Sequence, residues 1–237
     1  MGGRVMTFEV LADVESVARR AAEMIAVEAR AAVKTRGRFA IAISGGRTPW
    51  LMLRALNSFD LPWQNVHVLQ VDERIAPDGD PDRNLTHLSA SLLSKPRPWP
   101  ARIHEMPVDS SDLEAAARRY AQTVVDIAGS PPVFDLVHLG LGTDGHTASL
   151  IPGDPVLEVM DADVALTGVY QGRRRMTLTY PVLNRARRVL WLVTGEDKAA
   201  MLVRLRGADP TIPAGRVRQD QALVLADRAA AGQLEKV

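Results

Sequence analysis

Fourteen residues, Gly140 to Gly153, read GLGTDGHTASLIPG and gather glycines, an aspartate and a histidine into one short stretch. A free imidazole ionises near pH 6.5, so at neutral pH it can take a proton from water or a hydroxyl. Among glycines, the ring of His146 has room to face a ligand. A lone histidine more often serves as a surface or capping residue, so the setting carries the argument. His67, His87, His104 and His138 have no comparable glycine neighbours, and His67 and His138 fall inside apolar runs where a structural role is expected. No further His or Glu stands at ligand spacing from Asp144 and His146, and no metal is expected. Ser44 lacks the G-x-S-x-G frame of a nucleophilic serine, and a chain with no cysteine has neither a thiol nucleophile nor disulfides.

Two further loops carry chemistry. Ser44-Gly45-Gly46-Arg47-Thr48-Pro49 follows the apolar run Phe39–Ile43. Its glycines permit a sharp turn and close approach to the backbone, with Thr48 as an N-cap and Pro49 as first helical residue. Exposed amides at a helix N-terminus favour an anion such as phosphate. A tight turn without a ligand looks the same. The pattern is neither G-x-G-x-x-G nor a P-loop, which disfavours a dinucleotide or nucleoside triphosphate. The other loop, Asp72-Glu73-Arg74, follows Val66–Val71. A solvated strand end is its ordinary reading. Its functional reading sets a carboxylate for hydroxyls or proton transfer, and a guanidinium for phosphate or a carbonyl, at one cleft.

The elements that position these loops alternate. A strand near Phe8–Leu11 precedes a helix capped by Asp13, with Val14, Val17, Ala18, Ala21, Met24 and Ile25 on one face. Helices are expected from Thr48, over Leu85–Leu93, from a Ser111-x-x-Glu114 capping box through Ile127, and from beyond Gly195 to Leu205. Strands are expected at Phe134–Leu139, Val189–Val193 and Leu223–Leu225. Strands alternating with helices predict an α/β fold with a mainly parallel sheet, whose ligands sit at the carboxyl ends of the strands. The glycine-rich motifs lie there.

The 237 residues are 46% hydrophobic and 24% charged, as in a globular domain, and no linker divides residues 1–237 into two. A formal net charge of +1 gives no field for nucleic acid or a membrane surface. The cations are mostly arginine; only Lys34, Lys95, Lys198 and Lys236 are lysines. The first eleven residues are too polar for a signal peptide, no run of about 18 apolar residues exists, and a cytoplasmic protein is expected.

Taken together, SGGRTP at 44–49, VDER at 71–74 and GLGTDGHTASLIPG at 140–153 resemble the 6-phosphogluconolactonase family. RMTLT at 175–179, Asn184 with Ala186, VTGEDKA at 193–199 and LADRAAA at 225–231 extend the likeness along nearly the whole chain. The resemblance implies a Rossmann-like three-layer α/β/α sandwich that hydrolyses 6-phospho-D-glucono-1,5-lactone without a cofactor, as a monomer or at most a weak homodimer. It implies His146 as base on water, Arg74 at the oxyanion, and Asp144 orienting His146 or holding a sugar hydroxyl. It places the phosphate on Ser44, Gly45, Gly46, Arg47 and Thr48 with Arg175 and Lys198, and adds Asp72 and Asn84 to the substrate-binding set. The lactonases usually carry Ser-Asn where this chain has Arg83-Asn84, which leaves the role of residue 83 open.

Two rival functions remain at this point. The glucosamine-6-phosphate deaminases resemble this pattern, but typically read T-G-S-T-P in the first loop and Ile-Ala-Phe-Asn-Glu after the histidine, where this chain has Thr147-Ala148-Ser149-Leu150-Ile151. In such an enzyme Asp72 would abstract the proton. A non-catalytic sugar-phosphate sensor is the other rival; a DNA-binding module to go with it is not expected, and His146 would be superfluous.

Overall fold

The computed structural model describes residues 6–92 and 102–234. Its main sheet contains β1 (Thr7–Leu11), β2 (Phe39–Ile43), β3 (Val66–Gln70), β5 (Arg102–His104), β6 (Leu136–Gly140), β9 (Val189–Val193) and β10 (Ala222–Asp227). All pairings in it are parallel, in the order β1-β10-β9-β6-β2-β3-β5. The chain runs outward from β2 through β3 to β5, then returns to β6 on the other side of β2. Connections leaving β2 and β6 therefore diverge, and a crevice opens at the carboxyl ends of these two strands. The SGGRTP and GLGTDGHT loops rise there.

Side-chain alternation builds the layers. On β2, Phe39, Ile41 and Ile43 face α1 (Val14–Arg36) and α2 (Arg47–Leu56), while Ala40 and Ala42 face the layer containing α4 (Leu113–Ala128). Helix α1 begins at Asp13, whose carboxylate accepts the Ser16 N–H, and stops at Gly37 in the left-handed region (φ 75°). Its buried stripe is largely alanine, Ala18, Ala21, Ala22, Ala26, Ala29 and Ala32, which lets the helix lie close to its neighbours. Remaining helices are α3 (Asn84–Leu92), α5 (Tyr180–Arg185), α6 (Ala199–Arg206) and α7 (Arg228–Ala231). The expected α/β class and parallel sheet are those observed; Leu93, placed in a helix from the sequence, lies outside the described residues.

A second sheet was not legible in the sequence. Strand β4 (Asp72–Arg74) pairs antiparallel with β8 (Arg175–Leu178), which pairs with β7 (Val164–Leu166). Asp72-Glu73-Arg74 is thus no solvated strand end. Asp72 and Glu73 are buried, and Arg74 lies opposite Arg175 in the register. Two helix starts also differ from expectation. Helix α2 begins at Arg47 with Gly46 at the cap, and the Thr48 hydroxyl bonds Thr194 Oγ1 at 2.7 Å instead of capping. Helix α4 is capped by Asp112, which accepts the Ala115 N–H at 2.9 Å, so the Ser111–Glu114 box does not form. Carboxylates and hydroxyls cap equally well, and sequence does not say which neighbour wins.

Candidate active site

The loop after β2 is held from below. The Ser44 N–H donates to His138 Nδ1 at 3.3 Å and its hydroxyl to the His138 carbonyl at 3.1 Å, so Ser44 is tied to the strand on which His138 is buried. Gly46 has φ 134°, open to glycine and strained for other residues. A β-carbon at Gly45 would lie 1.9 Å from Asn84 Oδ1. Both glycines are therefore required, one by conformation and one by space.

Beneath the second wall lies Glu73, wholly buried. One carboxylate oxygen accepts the N–H groups of Arg74 and Asn84, both at 2.8 Å; the other accepts Gln70 Nε2 at 2.7 Å and the Leu85 N–H at 2.8 Å. It thereby satisfies the first-turn amides of α3, where the helix dipole favours an anion. Arg83 Nε stands 3.7 Å from the same carboxylate and its Nη1 3.5 Å from Asp78. Arg83 does not line the cleft; it is a buried countercharge. Asn84, held through Glu73, accepts from Arg74 Nη1 at 2.9 Å and donates to the Asp72 carbonyl at 3.0 Å. Arg74 Nη1 also donates to the Asp82 carbonyl at 2.8 Å. Asp72 accepts the Ser149 hydroxyl at 2.6 Å.

In the third loop, Gly142 N–H donates to the His146 carbonyl at 2.8 Å, and a β-carbon at Gly142 would fall 2.2 Å from His146 Nδ1. That ring nitrogen lies 2.6 Å from Asp144 Oδ1. An ionised carboxylate only accepts, so Nδ1 carries a proton, and in the neutral ring the lone pair is on Nε2. Burial opposes the charge on Asp144, but the His146 amide and ring and the Tyr170 hydroxyl outweigh it, holding its pKa below the ordinary carboxylate value.

Arg175 is 5% exposed; burial lowers its pKa from the usual guanidinium value while Asp72 opposes that shift. Its Nε has no hydrogen-bond partner, and its Cζ lies 5.0 Å from the Tyr170 ring centroid. Lys198 ends a short turn after β9 and pairs with Asp197 at 3.1 Å.

These groups converge on an open cleft of about 420 Å³. Of the residues singled out in the sequence, Ser44, Gly45, Gly46, Asp72, Arg74, Asn84, His146, Arg175 and Lys198 line it. Asp144 stands behind His146 and does not. Arg47 and Thr48 face an adjoining recess of about 450 Å³, with Thr194 and Gly195; Gly45, Gly46 and Lys198 border both spaces. Tyr170, Gln171, Trp50 and His87 also line the cleft and had no signal in the sequence. Among the described residues no three His, Cys, Asp or Glu side chains are gathered to hold a metal, and no helix is long and apolar enough to cross a membrane.

Known proteins resemble this chain in sequence and in fold. Residues 12–225 match the family described as glucosamine-6-phosphate isomerases/6-phosphogluconolactonase. The chain is 35% identical over 236 residues to a 6-phosphogluconolactonase of Nostoc, covering 96% of this chain and 98% of the relative. It is 38% identical over 194 residues to a 6-phosphogluconolactonase of Synechocystis, covering 80% of each. The crystal structure of a 6-phosphogluconolactonase from Thermotoga maritima superposes with a TM-score of 0.81 at 26% identity, covering 93% of this chain and 98% of that one. The chain belongs to the glucosamine-6-phosphate isomerase/6-phosphogluconolactonase family.

Proposed function

We propose that the chain hydrolyses 6-phospho-D-glucono-1,5-lactone to 6-phospho-D-gluconate, with His146 as the base. The observation that carries this reading is the 2.6 Å contact between His146 Nδ1 and Asp144, which in the neutral ring puts the lone pair on Nε2, with His146 lining a cleft that also contains Arg74 and Arg175. A lactone carbonyl is electrophilic enough for direct attack by water. Nε2 takes a proton as the water oxygen bonds to C1, and a tetrahedral oxyanion forms. The Arg74 guanidinium, fixed by Asn84 and the Asp82 carbonyl, stabilises that charge. Collapse breaks the bond from C1 to the ring oxygen, and the imidazolium returns its proton to the departing alkoxide. Water has added across the ester bond and the histidine is restored.

The phosphate lies over Gly45 and Gly46 at the N-terminus of α2, with Lys198 and Arg175 as countercharges; a helix N-terminus with cations on the same cleft suits an anion. The Thr48 hydroxyl, engaged with Thr194, and Arg47, in the adjoining recess, contribute from the side of that recess. Asp72 offers its remaining lone pairs to sugar hydroxyls. In an isomerase it would be the base; here one of its oxygens already accepts the Ser149 hydroxyl.

Freshly generated lactone and glucosamine 6-phosphate, supplied in parallel, test the assignment. Acid release above the spontaneous rate, with no ammonia from the amino sugar, is expected. Ammonia release without lactone hydrolysis would overturn it in favour of the isomerase.

A further inference from the structure

We infer that Tyr170 is a positioning residue that sets the His146–Asp144 pair and the Arg175 guanidinium together. The inference rests on the lactonase reading for its kinetic consequences, but its geometry stands apart from that reading. The Tyr170 hydroxyl donates to Asp144 Oδ2 at 3.1 Å, while Oδ1 is given to the His146 ring. Each oxygen of the carboxylate thus has its own side-chain partner. The Tyr170 ring meets the His146 ring edge to face, with centroids 5.6 Å apart and planes at 66°. Arg175 lies over the same ring at 5.0 Å, and its Nη2 is 3.4 Å from Gln171 Oε1. One aromatic side chain thereby touches the base, the group that orients the base, and the buried cation.

The turn that carries Tyr170 is built to hold it. Tyr170 and Arg173 exchange backbone hydrogen bonds at 2.9 and 3.3 Å across Gln171 (φ 52°) and Gly172 (φ 79°). Two successive residues with positive φ make the tight hairpin turn that suits the twist of antiparallel strands. Arg173 then pairs with Asp80 at 3.1 Å and Asp82 at 3.2 Å, and the Asp82 carbonyl is the one that Arg74 binds. The hairpin tip is therefore bonded to both walls of the cleft: through Tyr170 to the loop after β6, and through Arg173 to the segment preceding α3.

A carboxylate with one free oxygen can rotate or recruit water, and the histidine then loses the partner that selects its tautomer. Loss of the hydroxyl should act on the chemical step, and loss of the ring should also act on the anion held by Arg175. Tyr170→Phe removes only the hydroxyl from a half-exposed turn residue; Tyr170→Ala removes both.

Two readouts test this. Nitrogen NMR of the histidine rings reports the tautomer of His146 without any need for turnover: the wild-type protein should hold the Nδ1–H form and Tyr170→Phe a mixture of the two. Kinetically, Tyr170→Phe should lower kcat on the phosphorylated lactone by about tenfold, the scale of one hydrogen bond to a charged group, with KM unchanged. Tyr170→Ala should in addition raise KM for the phosphorylated lactone severalfold but not for unphosphorylated gluconolactone. An unaltered tautomer and unaltered kcat in Tyr170→Phe would overturn the inference while leaving the lactonase reading intact. A changed tautomer in a protein that does not open the lactone would uphold the positioning role and remove the lactonase reading instead.

Discussion

Gly45 and Asn84 sit so close that a β-carbon on the glycine would lie 1.9 Å from Asn84 Oδ1, the atom that accepts from Arg74. The first loop and the arginine-bearing strand are thereby set against each other without a direct bond between Gly45 and Arg74. Gly45→Ala should displace Asn84, release Arg74 and lower kcat/KM by about tenfold or more, the scale of one charge-assisted hydrogen bond. Adding Asn84→Ala removes the clash, so the double variant should be no worse than Asn84→Ala alone. Strict additivity of the two losses in a double-mutant cycle would show the contact to be inconsequential.

The buried carboxylate of Glu73 accepts four N–H groups and faces Arg83. Glu73→Gln puts an amide NH₂ among donors and leaves buried Arg83 with only the exposed Asp78 carboxylate as countercharge among the described residues. We expect a loss of about 3 kcal/mol in urea unfolding, in the range for breaking a buried pair. Arg83→Ser, by contrast, lies off the cleft; it should weaken folding while lactone turnover stays close to wild type. A wild-type unfolding midpoint for Glu73→Gln would contradict this account of α3.

Burial pushes the His138 pKa down to about 3, against 6.5 for an exposed ring. Between those values the unfolded chain binds a proton that the native protein refuses. His138 therefore costs no stability above pH 6.5, and stability falls as the pH drops below it. Asn in its place can still accept the Ser44 N–H through Oδ1. Between pH 6 and 4.5, stability of His138→Asn should fall less steeply than wild type by about 1.4 kcal/mol per pH unit. Parallel pH profiles would place the titration elsewhere; His67, lowered to about 4 chiefly by burial, would be examined next.

Lys198 borders both the cleft and the adjoining recess, and among the described residues its ammonium pairs only with the exposed Asp197. Lys198→Ala should raise KM about tenfold with kcat nearly unchanged, as expected of a contact made equally in ground and transition states. A fall in kcat at constant KM would move Lys198 from phosphate binding to the chemical step.

The parts of the site carried on strand-to-helix turns were legible, because glycines at 45, 46, 142 and 145 and the polar residues around them interrupt apolar runs where a parallel sheet presents its ligand end. His146 and Asp144 stood out for that reason. The second sheet was not legible. Its strands are three or four residues long, and Asp72–Arg74 pairs with a segment about a hundred residues later, so no local pattern marks the partnership. Glu73 looked like one of three solvated charges, although its oxygens are spent on three backbone amides and the Gln70 side chain. Thr48 was a sound helix cap by type, yet its hydroxyl turned to Thr194, on a strand end far along the chain. Tyr170 sits between Val169 and Gln171 with no periodicity or motif around it, and only the hairpin brings it onto Asp144.

The assignment of His146 as the base that takes a proton from the attacking water decides the mechanism. Its most direct test is the rate of acid release from freshly made 6-phosphogluconolactone by wild type and His146→Ala, each corrected for spontaneous opening. Clear acceleration by wild type is expected, with a kcat about 10²–10⁴ lower in the variant and little change in KM. A His146→Ala protein that keeps near-wild-type kcat would contradict it, and the base would have to be sought elsewhere in the cleft.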